Sequence, residues 1–319
     1  TQAETEALLP AGPLGRTMAA GDVFTVDSLD DVHYVDTGMY DTPEYGAAYI
    51  VDAERPAVVD TGIGTHYDRL VAAIESVGLA PADIEVIAPT HVHLDHAGGA
   101  GFLAADAPDA EVYVHEIGAP HLVDPDRLVE GTKRAVGDQW EFYVEPRPIP
   151  ESRVVPIGDG DTIDLGDREL VAVHAPGHAP HQVVFHEPST GWVHTADAAG
   201  IWVPALERIR ETTPPPNFEF EQALADIETV RDLDPSVLLY PHFGPVERVE
   251  HALDAYEEGL KQWVAAIERE YERRGDEEAV VEHFVAENEM EDLWGAKKAR
   301  GETAMNVRGV LRYLNTRDD

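Results

Sequence analysis

The feature that most constrains this chain is a short apolar run, 85–89, followed at once by His91, His93, Asp95 and His96, and then by Gly98 and Gly99. An apolar run closed by a proline reads as a buried strand, and the residues after Gly99 read as the start of a helix. The polar cluster therefore sits on a strand-to-helix loop. His91 and His93 are two positions apart, which in extended backbone puts both side chains on one side. Asp95 and His96 follow the turn and point at a second position nearby. The two glycines let backbone pack closely against the site. A lone histidine is more often a packed or surface group than a ligand, but four such groups behind one apolar strand are not explained by packing.

Three further positions repeat this context. His178 follows an apolar strand through Ala175-Pro176-Gly177, Asp197 follows Trp192-Val193-His194, and His242 follows the run 237–240. Each lies just past a buried strand, where layered α/β folds place their sites. Singly each is weak evidence; with the first cluster they make seven ligands, enough for two metals with open positions.

The order His-x-His-x-Asp-His, His, Asp, His resembles the metallo-β-lactamase superfamily and, within it, the glyoxalase II-like hydrolases, in a halophilic archaeal-type form. Three stretches carry the resemblance: THVHLDHAGGAG at 90–101, APGH at 175–178 and YPHFGP at 240–245. It implies an α/β fold, the αββα sandwich, with two divalent metals at one edge. Residue by residue, it implies that His91, His93 and His178 hold the first metal, that Asp95, His96 and His242 hold the second, and that Asp197 bridges them. Asp95 and Asp197 would also serve in catalysis. Asp60, in Val58-Val59-Asp60-Thr61-Gly62, resembles the superfamily's supporting aspartate, which orients ligand backbone or imidazole. His181, three residues beyond His178, is expected to border the pocket.

Strand signals recur at 23–26, 47–51, 57–59, 85–87, 111–114, 153–157, 169–173, 182–185, 191–194 and 237–240, most of them bounded by Gly, Pro or Asp. Helical periodicity appears at 67–77 and 218–233. Strands and helices intermix, with hairpin-like pairs between them, which predicts mixed sheets in layers. Segment 116–150 has few strand signals and is expected to be a helical insertion beside the site. The expected organisation is an N-terminal segment 1–21, a catalytic domain 22–247 and a helical region 248–319. In the last, Trp263, Phe284 and Leu293 leave three roles open: pocket cover, homodimer contact or stabilising cap.

The 319 residues include 62 acidic and 23 basic ones, a formal charge of −39, with lysine only at 133, 261, 297 and 298. Such a field disfavours nucleic acid and anionic lipid as partners and suits high salt, where self-repulsion is screened. Without cysteine there are no disulfides, thiolate metal sites or cysteine nucleophiles. No run approaches the ~20 apolar residues of a membrane span, and no basic-then-apolar leader opens the sequence, so a cytoplasmic location is expected.

Nitrogen and oxygen ligands without sulfur suit zinc first, with iron and manganese also compatible. The function expected is hydrolysis of a small-molecule thioester, ester or lactone by a metal-bound hydroxide. No Gly-x-Ser-x-Gly elbow offers a serine alternative, and phosphate-binding and dinucleotide fingerprints are absent. Two other classes stay open: an iron-dependent oxidoreductase of the same fold, and a non-catalytic binding protein. The basic residues that grip glutathione in glyoxalase II enzymes have no match in the acidic C-terminal region. The aromatic stretch around Trp140 and the loop Trp202-Val203-Pro204 suggest a partly apolar pocket. His33, His66, His121, His186, His251 and His283 read as surface or packing residues. His115, His174 and His194, at strand ends, stay open between packing and support of the ligands.

Overall fold

The computed structural model describes residues 19–317, so the expected N-terminal segment lies outside the described residues except for its last three. The first half of the chain forms a seven-stranded sheet in sequence order: β1 (Val23–Val26), β2 (Leu29–Asp36), β3 (Ala47–Val51), β4 (Ala57–Val59), β5 (Val86–Ala88), β6 (Glu111–His115) and β7 (Val154–Ile157). Pairing is antiparallel through β4 and parallel from β4 to β7. The parallel half needs crossovers, and α1 (Tyr67–Ser76), α2 (Leu94–Ala97) and α3 (Ala100–Asp106) lie within them.

The second half contributes β8 (Thr162–Asp164), β9 (Glu169–His174), β10 (Val183–Glu187), β11 (Trp192–His194), the hairpin β12 (Ile201–Val203) and β13 (Arg208–Arg210), β14 (Val237–Tyr240) and β15 (Gly244–Val246). Apart from the hairpin these form a six-stranded sheet in the order β15-β14-β11-β10-β9-β8, parallel only between β11 and β14. α4 (Ala119–Val123) and α5 (Asp126–Val136) occupy the segment read as a helical insertion. α6 (Phe220–Asp232) precedes β14, and α7 (Val249–Arg274), α8 (Glu277–Ala286), α9 (Glu291–Trp294) and α10 (Ala296–Thr316) close the chain.

Side-chain alternation explains the layering. Tyr49, Val51, Val86 and Ala88 of the first sheet share one core with Ala172, Val183, Phe185, Trp192 and Leu239 of the second. The alternate residues Ala48, Ile50, Val58 and Ile87 pack with Leu70, Ile74 and Leu103 of the helices. On the other side, Val184, Val193, Leu238 and Tyr240 meet Ile227 of α6, Leu253 and Leu260 of α7, and Val310 of α10. Central strands buried on both faces read as near-continuous apolar runs, which is why they were visible in the sequence. This is the αββα sandwich. Each fully buried Val, Leu, Ile or Phe contributes about 1.5–3 kcal/mol to it.

All ten expected strands coincide with observed ones, within a residue or two at their ends. β2, β8, β12, β13 and β15 were not expected. β2 is broken by aspartates, β15 begins Gly-Pro at a sheet edge, and the other three have only three residues each. The stretch Trp202-Val203-Pro204 is thus half strand, not a loop. No helix among the described residues is long and apolar enough to cross a membrane.

Candidate metal centre

All seven expected ligands meet where loops leave the C-terminal ends of β5, β9, β11 and β14. After β5 the chain bends at Thr90 and His91, and His93 is the N-cap of α2, whose first turn carries Asp95 and His96. Gly98 and Gly99 let this turn sit on the loop after β4: an added Cβ would lie 2.9 Å from the Ile63 carbonyl oxygen at Gly98, and 2.5 Å from that of Thr61 at Gly99. Thr61 N–H donates to the His96 carbonyl at 2.7 Å across that contact.

The His178 loop is seated by α6, where the Asp226 carboxylate accepts from Gly177 N–H at 2.6 Å. Gln182, fully buried, ties this loop to the next: its Nε2 donates to the Ala175 carbonyl at 2.9 Å and its Oε1 accepts from Asp197 N–H at 3.2 Å. The strand pattern registered Gln182 only as a strand end, and no local signal marks its bridging role.

Three groups of side chains have ligand atoms within 4.8 Å of one another: His91, His93 and His178; His91, His96 and Asp197; and Asp95, His96 and His242. His93 offers Nδ1, at 3.0 Å from His91 Nε2 and 3.1 Å from His178 Nε2. Asp197 Oδ2 lies 3.1 Å from His178 Nε2 and 3.5 Å from His96 Nε2, while Oδ1 lies 3.7 Å from His242 Nε2. Asp95 Oδ2 stands 4.0 Å from His96 and 3.9 Å from His242.

The far side of most imidazoles is held. His96 Nδ1 donates to Asp60 at 2.9 Å, His242 Nδ1 donates to the Tyr45 carbonyl at 2.9 Å, and Thr90 Oγ1 lies 3.1 Å from His91 Nδ1. Asp60 also accepts from Thr90 N–H at 2.8 Å and from its hydroxyl. Fixing one ring nitrogen in this way leaves the other, with its lone pair, facing the cluster.

Electrostatics follow from crowding. Burial and then neighbouring His96 and His93 drive His91 well below the ordinary histidine range. Burial opposes ionisation of Asp197, but His178 and His96 hold it below the ordinary range. Burial works against charge on His96 too, yet Asp197, Asp60 and Asp95 together raise it well above. His96 Nε2 and Asp197 Oδ1 are fully buried without a hydrogen-bond partner. Buried lone polar atoms are costly unless something satisfies them, and divalent cations fit this all-nitrogen-and-oxygen donor set.

Residues 41–242 match the family model of the metallo-beta-lactamase superfamily. The chain belongs to that superfamily. An archaeal superfamily protein from Sulfolobus tokodaii has a similar fold, with a TM-score of 0.63 at 20% identity over 88% of this chain and 98% of that one. The chain is 29% identical to an acyl-coenzyme A thioesterase of Gallus gallus over 49% of its own length, and 25% identical to a hydroxyacylglutathione hydrolase of Bdellovibrio bacteriovorus over 50%. It spans only 58% and 48% of the lengths of those two enzymes. Glyoxalase II-like proteins are thus among the relatives of this superfamily member.

A cavity of about 520 Å³ opens over the cluster, floored by His93, Asp95, His178, Asp197 and His242. His181 lines it, 5.4 Å from the His93 ring, and burial with His93 pushes it down to about 2. The insertion supplies Leu128, Ala135 and Val136 from α5, and α10 supplies Glu302 and Met305. Of the three roles left open for the C-terminal helices, pocket cover is thus present, while Trp263 packs on Phe284 inside the helical layer. The expected aromatics are displaced by one layer. Trp140 stacks behind Tyr143, at 5.4 Å, and Ile201, not Trp202, reaches the cavity. His121, read as surface or packing, lines the wall as well. His194 lies 3.9 Å from Asp60, behind the ligands, whereas His115 and His174 stack on each other at 4.4 Å.

Proposed function

We propose that the chain is a dinuclear metal-dependent hydrolase acting on a thioester, ester or lactone of a small molecule. The observation that carries this reading is Asp197, whose carboxylate stands between the two halves of the cluster: Oδ2 lies 3.1 Å from His178 on one side and 3.5 Å from His96 on the other, and Oδ1 lies 3.7 Å from His242. One cation would be held by His91, His93 and His178, the other by Asp95, His96 and His242, with Asp197 between. Zinc fits first; iron and manganese fit the same donors. When bound, such a pair lowers the pKa of a water towards ~7 and polarises a carbonyl oxygen.

Hydrolysis adds water oxygen to the acyl carbon, breaks the C–S or C–O bond and returns a proton to the departing atom. Asp95, its side chain 26% exposed towards the cavity, is the group suited to carry that proton. The cavity has the size of a small-molecule site, and α5 lines it with Leu128, Ala135 and Val136, suited to an acyl or alkyl portion, beside Arg127 and Arg134, suited to a polar or anionic one. The names of the thioesterase and hydroxyacylglutathione hydrolase relatives support thioesters within the class.

The test is metal content measured beside a panel of thioesters, lactones and aryl esters in molar salt. Two ions per chain and turnover of one class are expected, and Asp197→Asn should lose hydrolysis while keeping its circular dichroism. Undiminished hydrolysis by that variant removes the bridging role. Iron with oxygen consumption and no hydrolysis would favour the oxidoreductase alternative.

A further inference from the structure

The cavity wall carries a relay of polar groups that the metal ligands do not use. Tyr40 and Tyr143, far apart in sequence, bring their hydroxyls to 2.5 Å. Both line the cavity beside His93 and Asp95; Tyr40 is buried and Tyr143 partly open. Behind them, the Lys298 ammonium sits 3.8 Å from the Tyr40 ring centroid and 4.4 Å from that of Tyr45. Glu302 pins the ammonium at 2.5 Å and accepts from Asn306 Nδ2 at 3.2 Å, and Asn306 Oδ1 accepts from Thr213 N–H at 2.7 Å. Lys298, Glu302 and Asn306 recur every four residues along α10, beyond the stretch 41–242 matched by the family.

A buried ion pair gives little stability over well-packed apolar residues of the same size. Its place on a helix face that could have been apolar points to another use. A cation over the face of a phenol draws electron density from the ring and makes its hydroxyl a stronger donor. Tyr40 has the ammonium on its ring and the Tyr143 oxygen at its hydroxyl. A hydroxyl that accepts from one neighbour is polarised to donate to another. Burial, and then Asp95, keep Tyr143 protonated, as a donor must be.

We propose that Tyr143 donates a hydrogen bond to the carbonyl oxygen of the substrate, its proton turned into the cavity because Tyr40, with Lys298 on its ring, donates to the Tyr143 oxygen. This rests on the hydrolase reading above and adds to it an acyl-oxygen subsite made by the chain itself. Tyr143 is then a catalytic residue, and Tyr40 and Lys298 are positioning residues acting through it.

The experiment uses the full metal-loaded chain and whichever panel substrate it hydrolyses. Tyr143→Phe should lower kcat about 10²-fold, the cost of one donor to a developing oxyanion, with KM, metal content and melting temperature unchanged. Tyr40→Phe should lower kcat about 10-fold, as loss of an outer partner does, and should cost nothing further in the Tyr143→Phe background. Lys298→Met is made with Glu302→Gln so that no carboxylate is left unpaired, and should behave like Tyr40→Phe; Lys298→Arg should keep the activity. An aryl phosphonate, a tetrahedral mimic, should bind Tyr143→Phe about as much more weakly as kcat falls, while an uncleavable thioether analogue binds both proteins equally. Wild-type kcat in Tyr143→Phe, or additive losses in the double variant, would overturn the inference. Failure of the hydrolase reading looks different: the wild-type chain itself turns over nothing.

Discussion

His96 and Asp60 face each other at 2.9 Å, both without solvent contact, and this pairing leaves His96 Nε2 as the nitrogen aimed at the cluster. Burial opposes charge on Asp60, and His96 more than offsets it, so the carboxylate sits below its ordinary range. The same carboxylate holds Thr90, and through Thr90 the start of the ligand loop.

Asp60→Asn keeps the shape but removes the charge and one acceptor. We expect metal affinity to fall about 10–100-fold, as for other losses of an imidazole's outer partner. Titration of the metal-free protein with zinc, read by tryptophan fluorescence, measures it. An unchanged affinity would mean that Asp60 supports only the backbone.

The docking of α10 can be probed at Gly309, which does not itself line the cavity. A Cβ on Gly309 would lie 1.8 Å from the Thr213 carbonyl oxygen, so Gly309→Ala must push the helix away from the stretch after β13 that it covers. The cost expected is about 1–3 kcal/mol, the range for overpacking. Because Glu302 and Met305 ride on the same helix, KM should rise as the melting temperature falls. A lower melting temperature with wild-type KM would separate α10 from substrate binding.

Glu187 offers a pH test far from the ligands. Burial opposes its ionisation, but Ser189 and Thr190 donate to it and lower its pKa in the folded chain. A depressed carboxylate stabilises the fold above its unfolded pKa of ~4.3, and that contribution is lost as pH falls through the folded value. Glu187→Gln should therefore be less stable than wild type at pH 7, with the gap closing towards pH 3. Denaturant midpoints at several pH values, taken in constant salt, decide it; a constant gap would assign the effect to packing.

Salt should stabilise this chain strongly. With 62 acidic and 23 basic residues, self-repulsion is screened over about 10 Å at 0.1 M salt and about 3 Å at 1 M. The melting temperature is expected to climb between those concentrations and then level off. A flat response would remove salt adaptation as the reason for the acidic surface.

Six of the seven clustered side chains were legible because they follow strands buried on both faces, β5, β11 and β14; β9, before His178, is fully buried on one face only. Such strands read as apolar runs without help from their surroundings, and the polar residue that ends one stands out. Gly98 and Gly99 were legible for a similar local reason, since only close backbone approach calls for both. Nothing comparable marked Tyr40, Gln182, Lys298 or Glu302, and Tyr143 stood out only as part of the aromatic stretch around Trp140. An isolated tyrosine or a lysine on an amphipathic helix has the same local pattern whether it meets solvent or a cavity.

What the sequence alone determined, then, is the seven side chains that meet in one cluster and the central strands that carry them. The tertiary structure decided what surrounds them: which loops share Gln182, which aromatic forms the wall, and that α10 brings a lysine onto a tyrosine more than 250 positions earlier. The strand β2 and the edge strands β8 and β15 belong to the same group. Their aspartates, glycine and proline oppose strand formation locally, and only pairing with a formed neighbour overcomes that preference.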